Sequence, residues 1–168
     1  MELLIPGLIL VALMAWASTK IKKRAAEAFE AETIDTSDYS LEKPEGFLHV
    51  IGSRDHEFEA YSKEFDESDF RLRRGKIEID VLTDGDLKSV CDEVRSGTTD
   101  LSISDGDRGI RWVECEEAAN ENAFKVFYKI VDTPRGIYRL RFAVISKHVD
   151  DYLRRINETL DSFRVKTT

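Results

Sequence analysis

The sequence predicts an α+β protein, an antiparallel sheet with packed helices, preceded by one N-terminal transmembrane helix. Three observations carry that prediction. Residues 3–19 hold no charged side chain. Several later segments alternate apolar and polar residues with period two, and two others repeat apolar residues at helical spacing. With 168 residues, 42 % of them apolar, the chain suffices for one core of ordinary size and a short appendage.

The run from Leu3 to Thr19 is seventeen residues long, or roughly 25 Å of helix. That is short for a hydrocarbon core of about 30 Å, but Trp16 can sit at the interface and Lys20 can snorkel. Ala15-Trp16-Ala17 has the small-x-small look of a signal-peptide cleavage site. Against cleavage, Glu2 stands where a signal peptide has a base, and Lys20, Lys22, Lys23 and Arg24 follow the apolar run directly. A positive flank stays inside, so the expected arrangement is single-pass in a bacterial inner membrane with a cytoplasmic domain, a periplasmic one being the alternative. From Lys20 to Glu32 the good helix formers Ala, Lys and Glu extend the helix, with Ile21, Ala25, Ala28 and Phe29 as a narrow apolar stripe. Thr33 to Asp38 reads as a polar linker. The expected organisation is an anchor over 1–19, a juxtamembrane helix and linker over 20–38, and a soluble domain over 39–168.

In that domain Lys76 to Val81 puts Ile77, Ile79 and Val81 on one face. Phe124 to Val131 and Tyr138 to Ile145 alternate in the same way, and Asp132-Thr133-Pro134-Arg135-Gly136 between them has hairpin composition. Shorter strand candidates are Tyr39 to Leu41, Phe47 to Ile51, Phe58 to Phe65, Leu101 to Ser104 and Ile110 to Glu116. Short connections favour an antiparallel meander. Asp86 can cap a helix carrying Leu87, Val90, Cys91 and Val94, stopped by Gly97. Ser146 can cap a second, where Val149, Tyr152, Leu153, Ile156, Leu160 and Phe163 keep helical spacing.

Tyr39-Ser40-Leu41 with Pro44-Glu45-Gly46-Phe47, the late strand pair, and a closing helix ending Leu160-Asp161-Ser162-Phe163-Arg164-Val165 resemble the PsbP-like superfamily over residues 39 to 166. That group takes in the photosystem II P subunit and a Ran-binding import factor. The resemblance implies an α/β/α sandwich serving as a binding or assembly module, generally without catalysis. It supplies no site residues. Unlike many bacterial members of that group, this chain has no lipobox cysteine.

Net charge is -8 overall. The first 24 residues carry Glu2 against four bases, so the remainder stands at -11 and repels nucleic acid and anionic lipid beyond roughly 8 Å at physiological salt. Cys91 and Cys115, in no metal-type spacing, read as buried free thiols of a reducing compartment. His49, His56 and His148 form no ligand motif. Ser53, Asp55 and His56 sit too close in sequence for a triad, and Gly75-Lys76 lacks the rest of a phosphate loop. The Asp-Gly-Asp runs at Asp84 and Asp105 read as turns rather than calcium loops. No catalytic, cofactor or metal residue is assigned.

If Phe124 and Tyr138 both face the core, Lys125, Phe127, Lys129, Arg139 and Arg141 share the other face as a basic patch with an aromatic centre, fit for a protein partner. The plainer reading pairs those bases with Glu114 and Glu116. Arg71, Arg73, Arg74 and Lys76 read as a solvated strand entry. The expected function is a membrane-tethered, non-catalytic binding or assembly subunit that docks a protein partner and uses no cofactor. A small-ligand carrier, or a small enzyme with a carboxylate site, is the alternative.

Overall fold

The structure, a computed structural model, describes residues 4–67, 69–83, 85–106, 109–119 and 122–166; for residues 4–12 it describes the helical backbone and not the side chains. Helix α1 (Leu4–Glu27) runs unbroken from the apolar segment through the basic cluster. Between Leu13 and Ala28 its side chains are exposed except for half-buried Ala17, so the domain does not cover it. Among the described residues no helix is long and apolar enough to cross a membrane. The expected span over 1–19 falls largely on residues 1–12, whose side chains lie outside the described set.

The expected linker is a correction. Strand β1 (Glu32–Asp35) pairs antiparallel with β2 (Tyr39–Lys43), whose other edge takes β10 (Arg164–Val165). Ile34 of β1 is buried. Lys43, 1 % exposed, donates from its ammonium to the Glu30 carbonyl at 2.5 Å and the Phe47 carbonyl at 2.7 Å. Burial lowers its pKa. Gly46, at φ 88°, donates its N–H to the Phe29 carbonyl at 2.7 Å. The segment leaving α1 is therefore bolted to the domain.

The larger sheet has seven strands: β3 (Phe47–His49), β4 (Phe58–Ser62), β5 (Gly75–Leu82), β6 (Thr99–Asp105), β7 (Ile110–Ala119), β8 (Asn122–Thr133) and β9 (Gly136–Ile145). Their order is β3-β4-β5-β9-β8-β7-β6, every neighbouring pair antiparallel. All the expected strands form, most of them longer than the alternation alone marks. The β8–β9 hairpin turns on Pro134 and Arg135. Gly136 closes it at φ 140°, where a Cβ would come within 2.8 Å of the Leu82 carbonyl.

Helix α2 (Leu87–Ser96) starts as its sequence predicts. Asp86 accepts from Ser89 N–H at 2.7 Å, and Ser89 Oγ accepts from Asp86 N–H in return. Helix α3 (Val149–Ser162) does not start at Ser146: a 3₁₀ turn, Ser146–His148, precedes it, and the Ser146 hydroxyl is buried without a partner among the described residues. Asp150 and Asp151 in the first turn favour its dipole instead. Leu153 points outward, and Thr159 joins Tyr152, Ile156 and Leu160 on the buried face.

The two sheet faces differ. One is covered by α3 and the small sheet: Phe47, Phe58, Ile77, Ile79, Leu140 and Phe142 pack against Tyr152, Ile156, Leu160 and Phe163. Phe47 meets Phe142 and Tyr152 edge-on, at 5.4 and 6.0 Å between centroids, contacts worth about 1 kcal/mol each beyond burial. On the other face α2 lays Val90, Cys91 and Val94 over Val113, Cys115, Val126 and Ile130. Both cysteines are buried and free, and burial pushes the Cys115 thiol up to about 11. Of β4 and β5, only Leu82 at the end of β5 joins this cluster.

Candidate binding face

Strand register decides what the expected basic patch becomes. In the β8–β9 hairpin Phe127 opposes Phe142, Lys129 opposes Leu140, and Ile130 opposes Arg139. Directly opposed residues share a face. Lys125, Phe127 and Lys129 therefore lie on the α3 side, while Arg139 and Arg141 lie on the α2 side. Phe124, opposite Ile145, is on the α2 side as well, and Tyr138, opposite Val131, is not. The five residues form no single patch, because Phe124 and Tyr138 do not face the same way.

On the α3 side the three expected residues have structural partners. Lys125 pairs with Glu114 at 3.0 Å, as the ion-pair reading expects. Lys129, 3 % exposed, donates to the carbonyls of Leu160 at 2.7 Å and Phe163 at 2.9 Å, closing the C-terminal end of α3. Its ammonium also stands 4.7 Å from the centre of the Trp112 ring. Burial, then the nearby Arg164, lowers its pKa to about 8 despite Asp161. Phe127 is half buried beside this core.

On the α2 side the open part of the sheet carries a charge lattice that the sequence reading missed. Arg139 Nη2 meets Asp80 Oδ2 at 2.9 Å, and Arg141 bridges Glu78 at 2.6 Å and Glu117 at 2.5 Å. The Lys76 ammonium sits between Glu59, at 2.9 Å, and Glu78. Burial raises the Glu59 carboxyl, but hydrogen bonds from Tyr61, Lys76 and Ser53 outweigh it and hold it at about 2. For Lys76 and Arg141 burial is likewise outweighed by the carboxylates, and both pKa values rise. Period-two alternation puts Lys76, Glu78 and Asp80 on one face of their strand, but the partners of the two acids, Arg139 and Arg141, come from β9, far along the chain.

His56 completes the lattice. Its Nδ1 lies 2.6 Å from Asp80 Oδ1 and its Nε2 2.9 Å from Glu78 Oε1. Both ring nitrogens thus lie within hydrogen-bond distance of a carboxylate. Ser53 donates to Glu59 at 3.0 Å instead. The Ser53, Asp55 and His56 run makes no nucleophile–base pair, since serine and histidine bind different carboxylates. The potential ligand atoms of His56, Glu59 and Glu78 do lie within 4.8 Å of one another. The Lys76 ammonium and the Arg141 guanidinium already bind those acids, so the cluster holds its cations internally. His49 stands 3.8 Å from Glu32 and His148 3.3 Å from buried Asp66, apart from this cluster.

At one end of the lattice, a cavity of about 580 Å³ opens between the β3–β4 loop, with Arg54 and His56, and Asp80 and Arg139 on the sheet. Its walls are more polar than apolar. At the basic flank of α1, the Lys20 ammonium lies 4.7 Å from the Trp16 ring centre. Lys23 pairs with Glu27 at 3.8 Å in solvent, and the side chains of Lys22 and Arg24 are exposed.

No family model matches the sequence, and no curated protein does. Solved structures do match. LpqN of Mycobacterium tuberculosis, involved in cell envelope biogenesis, is similar at a TM-score of 0.58 and 12 % identity, over 82 % of this chain and 91 % of its own. The Ran-binding protein Mog1p of Saccharomyces cerevisiae gives 0.53 at 14 % identity, over 82 % and 96 %. PsbP of the cyanobacterium Synechocystis sp. PCC 6803 gives 0.52 at 11 %, over 82 % and 94 %. Identities this low speak to the fold alone, and the fold of this chain is the PsbP/Mog1-like one.

Proposed function

We propose that the chain is a membrane-tethered, non-catalytic binding or assembly subunit that docks a protein partner through the open α2-side face of its sheet. The observation that carries the reading is the lattice beside α2. Its acids Glu59, Glu78, Asp80 and Glu117 are held by Lys76, Arg139, Arg141 and His56. Both nitrogens of its histidine are engaged with carboxylates, so this histidine offers no free nitrogen to a substrate. A preformed array of both signs suits a partner of mixed charge, for which it supplies register and specificity more than raw affinity. Arg139 and Arg141 keep their place in this proposal. Lys125, Phe127 and Lys129 would take part only from the opposite face.

Ran binding by Mog1p and the role of LpqN in envelope biogenesis support a binding or assembly role by analogy of fold. Tethering rests on the sequence of α1: the charge-free run to Thr19, the Trp16 and Lys20 pair at its end, and the cluster completed by Lys22, Lys23 and Arg24. The bases place the domain on the cytoplasmic side. A tethered domain meets a membrane-bound partner at raised effective concentration, so modest affinity suffices. Native membranes washed with alkaline carbonate should retain the chain, and crosslinking before solubilisation should join it to one dominant protein. Release by carbonate contradicts the tether, and retention without any adduct contradicts the docking.

A further inference from the structure

The basic run Arg71, Arg73, Arg74 and Lys76 is not simply a solvated strand entry. The β4–β5 loop folds back over the end of the sheet: Asp66 N–H donates to the Leu72 carbonyl at 2.7 Å, and the Arg73 guanidinium stacks on Phe65 at 3.7 Å. Buried Asp66 anchors the loop to Lys147 at 2.6 Å. Beneath it lies a second cavity, about 450 Å³, within the size range of small-molecule sites, roughly 300–1,000 Å³.

This cavity is built unlike the polar one near His56. Its lining mixes apolar Leu72, Phe124, Ala119, Ala143 and the ring of Tyr61 with four cations and one carboxylate, Glu117. Lys76 and Arg141 are bound to lattice acids, so the charge left for a ligand comes from the loop. Arg71 is almost wholly exposed, and its ionic partner among the described residues is Asp69, at 3.6 Å in solvent. Arg73 uses Nη1 on the Ser62 and Lys63 carbonyls. In a domain of strong negative charge, a pocket lined by both cations and apolar side chains selects an anion with an apolar body.

We propose that this cavity binds a single-chain amphiphile with an anionic head, the head between Arg71 and Arg73 and the tail along Leu72, Phe124 and Ala143. The cavity shares Lys76, Glu117 and Arg141 with the proposed docking face, but ligand binding is read without any partner present. It is tested on the full chain in nanodiscs of zwitterionic lipid, with methyl NMR of Leu72, Ala119 and Ala143 as the local readout. The probes are octyl phosphate, octyltrimethylammonium and inorganic phosphate. Octyl phosphate should shift these methyl signals saturably, octyltrimethylammonium should not, and inorganic phosphate should bind at least about tenfold more weakly, the equivalent of about 1.4 kcal/mol. Arg71→Glu, at an exposed position, should weaken octyl phosphate by about tenfold with an unchanged melting temperature, and Ala119→Trp, filling the cavity, should abolish the shifts. Equal response to the cationic amphiphile, equal affinity for phosphate alone, or indifference to both substitutions would overturn the proposal.

Discussion

Arg141 of β9 and Glu78 of β5 meet at 2.6 Å across the open face of the sheet, and Glu78 is 6 % exposed. The same guanidinium holds Glu117 of β7, so one side chain ties three strands. Arg141→Leu would leave Glu117 without a cation, held by Tyr128 alone, while Glu78 keeps Lys76 and His56, and should cost about 2–3 kcal/mol in urea unfolding. The effect should shrink when Glu117→Gln is added, because the unpaired charge is then gone. Additive costs in that double variant would contradict the shared bridge.

Acid should weaken the domain through the same lattice. Glu59 is held at about 2 and Glu117 is lowered from a usual value of 4.5. Between those pH values the unfolded chain binds protons that the folded one refuses, so stability is present above about pH 4.5 and is lost as pH falls toward 2. Glu59→Gln should flatten part of that slope in melting temperature against pH. An unchanged slope would contradict the hydrogen bonds assigned to Glu59.

Lys129 predicts a slope of the same sign in mild alkali. Its pKa is lowered from 10.5 to about 8. Between these values the unfolded chain binds more protons from Lys129, and stability should rise with pH from about 8 until Cys115, raised from 9 to about 11, and tyrosines with raised pKa, such as Tyr128, oppose it above about pH 9. Lys129→Met keeps the stem, removes the buried charge and should flatten the rise, leaving only the share of Lys43. It also leaves the Leu160 carbonyl without its donor, costing on the order of 1 kcal/mol at all pH values.

The strands, α2 and the long apolar stripe of α3 were legible because each advertises a period: Ile77, Ile79 and Val81 at two, Tyr152, Ile156 and Leu160 near four. Strand β1 was not, since Glu-Thr-Ile-Asp offers a single apolar residue and forms only because β2 lies beside it. The division of the basic residues between faces was equally hidden. Tyr138 and Phe124 each sit in a clean alternation, and only the register, Phe124 on Ile145, shows that the two alternations run out of phase. Lys129 reads as a surface base, yet it is buried because α3 ends over it with carbonyls to satisfy. The lattice joins β4, β5, β7 and β9, a set that no local pattern announces.

The docking face can be tested by position. A photo-crosslinking residue replaces Arg54 or Glu93, both exposed beside the lattice, or Arg154, exposed on the outer side of α3. Each variant is irradiated in native membranes at low and at high salt. Positions 54 and 93 should yield the same partner adduct, weaker at high salt, while position 154 yields none. An adduct from 154 with none from 54 or 93 would contradict docking through the α2-side face.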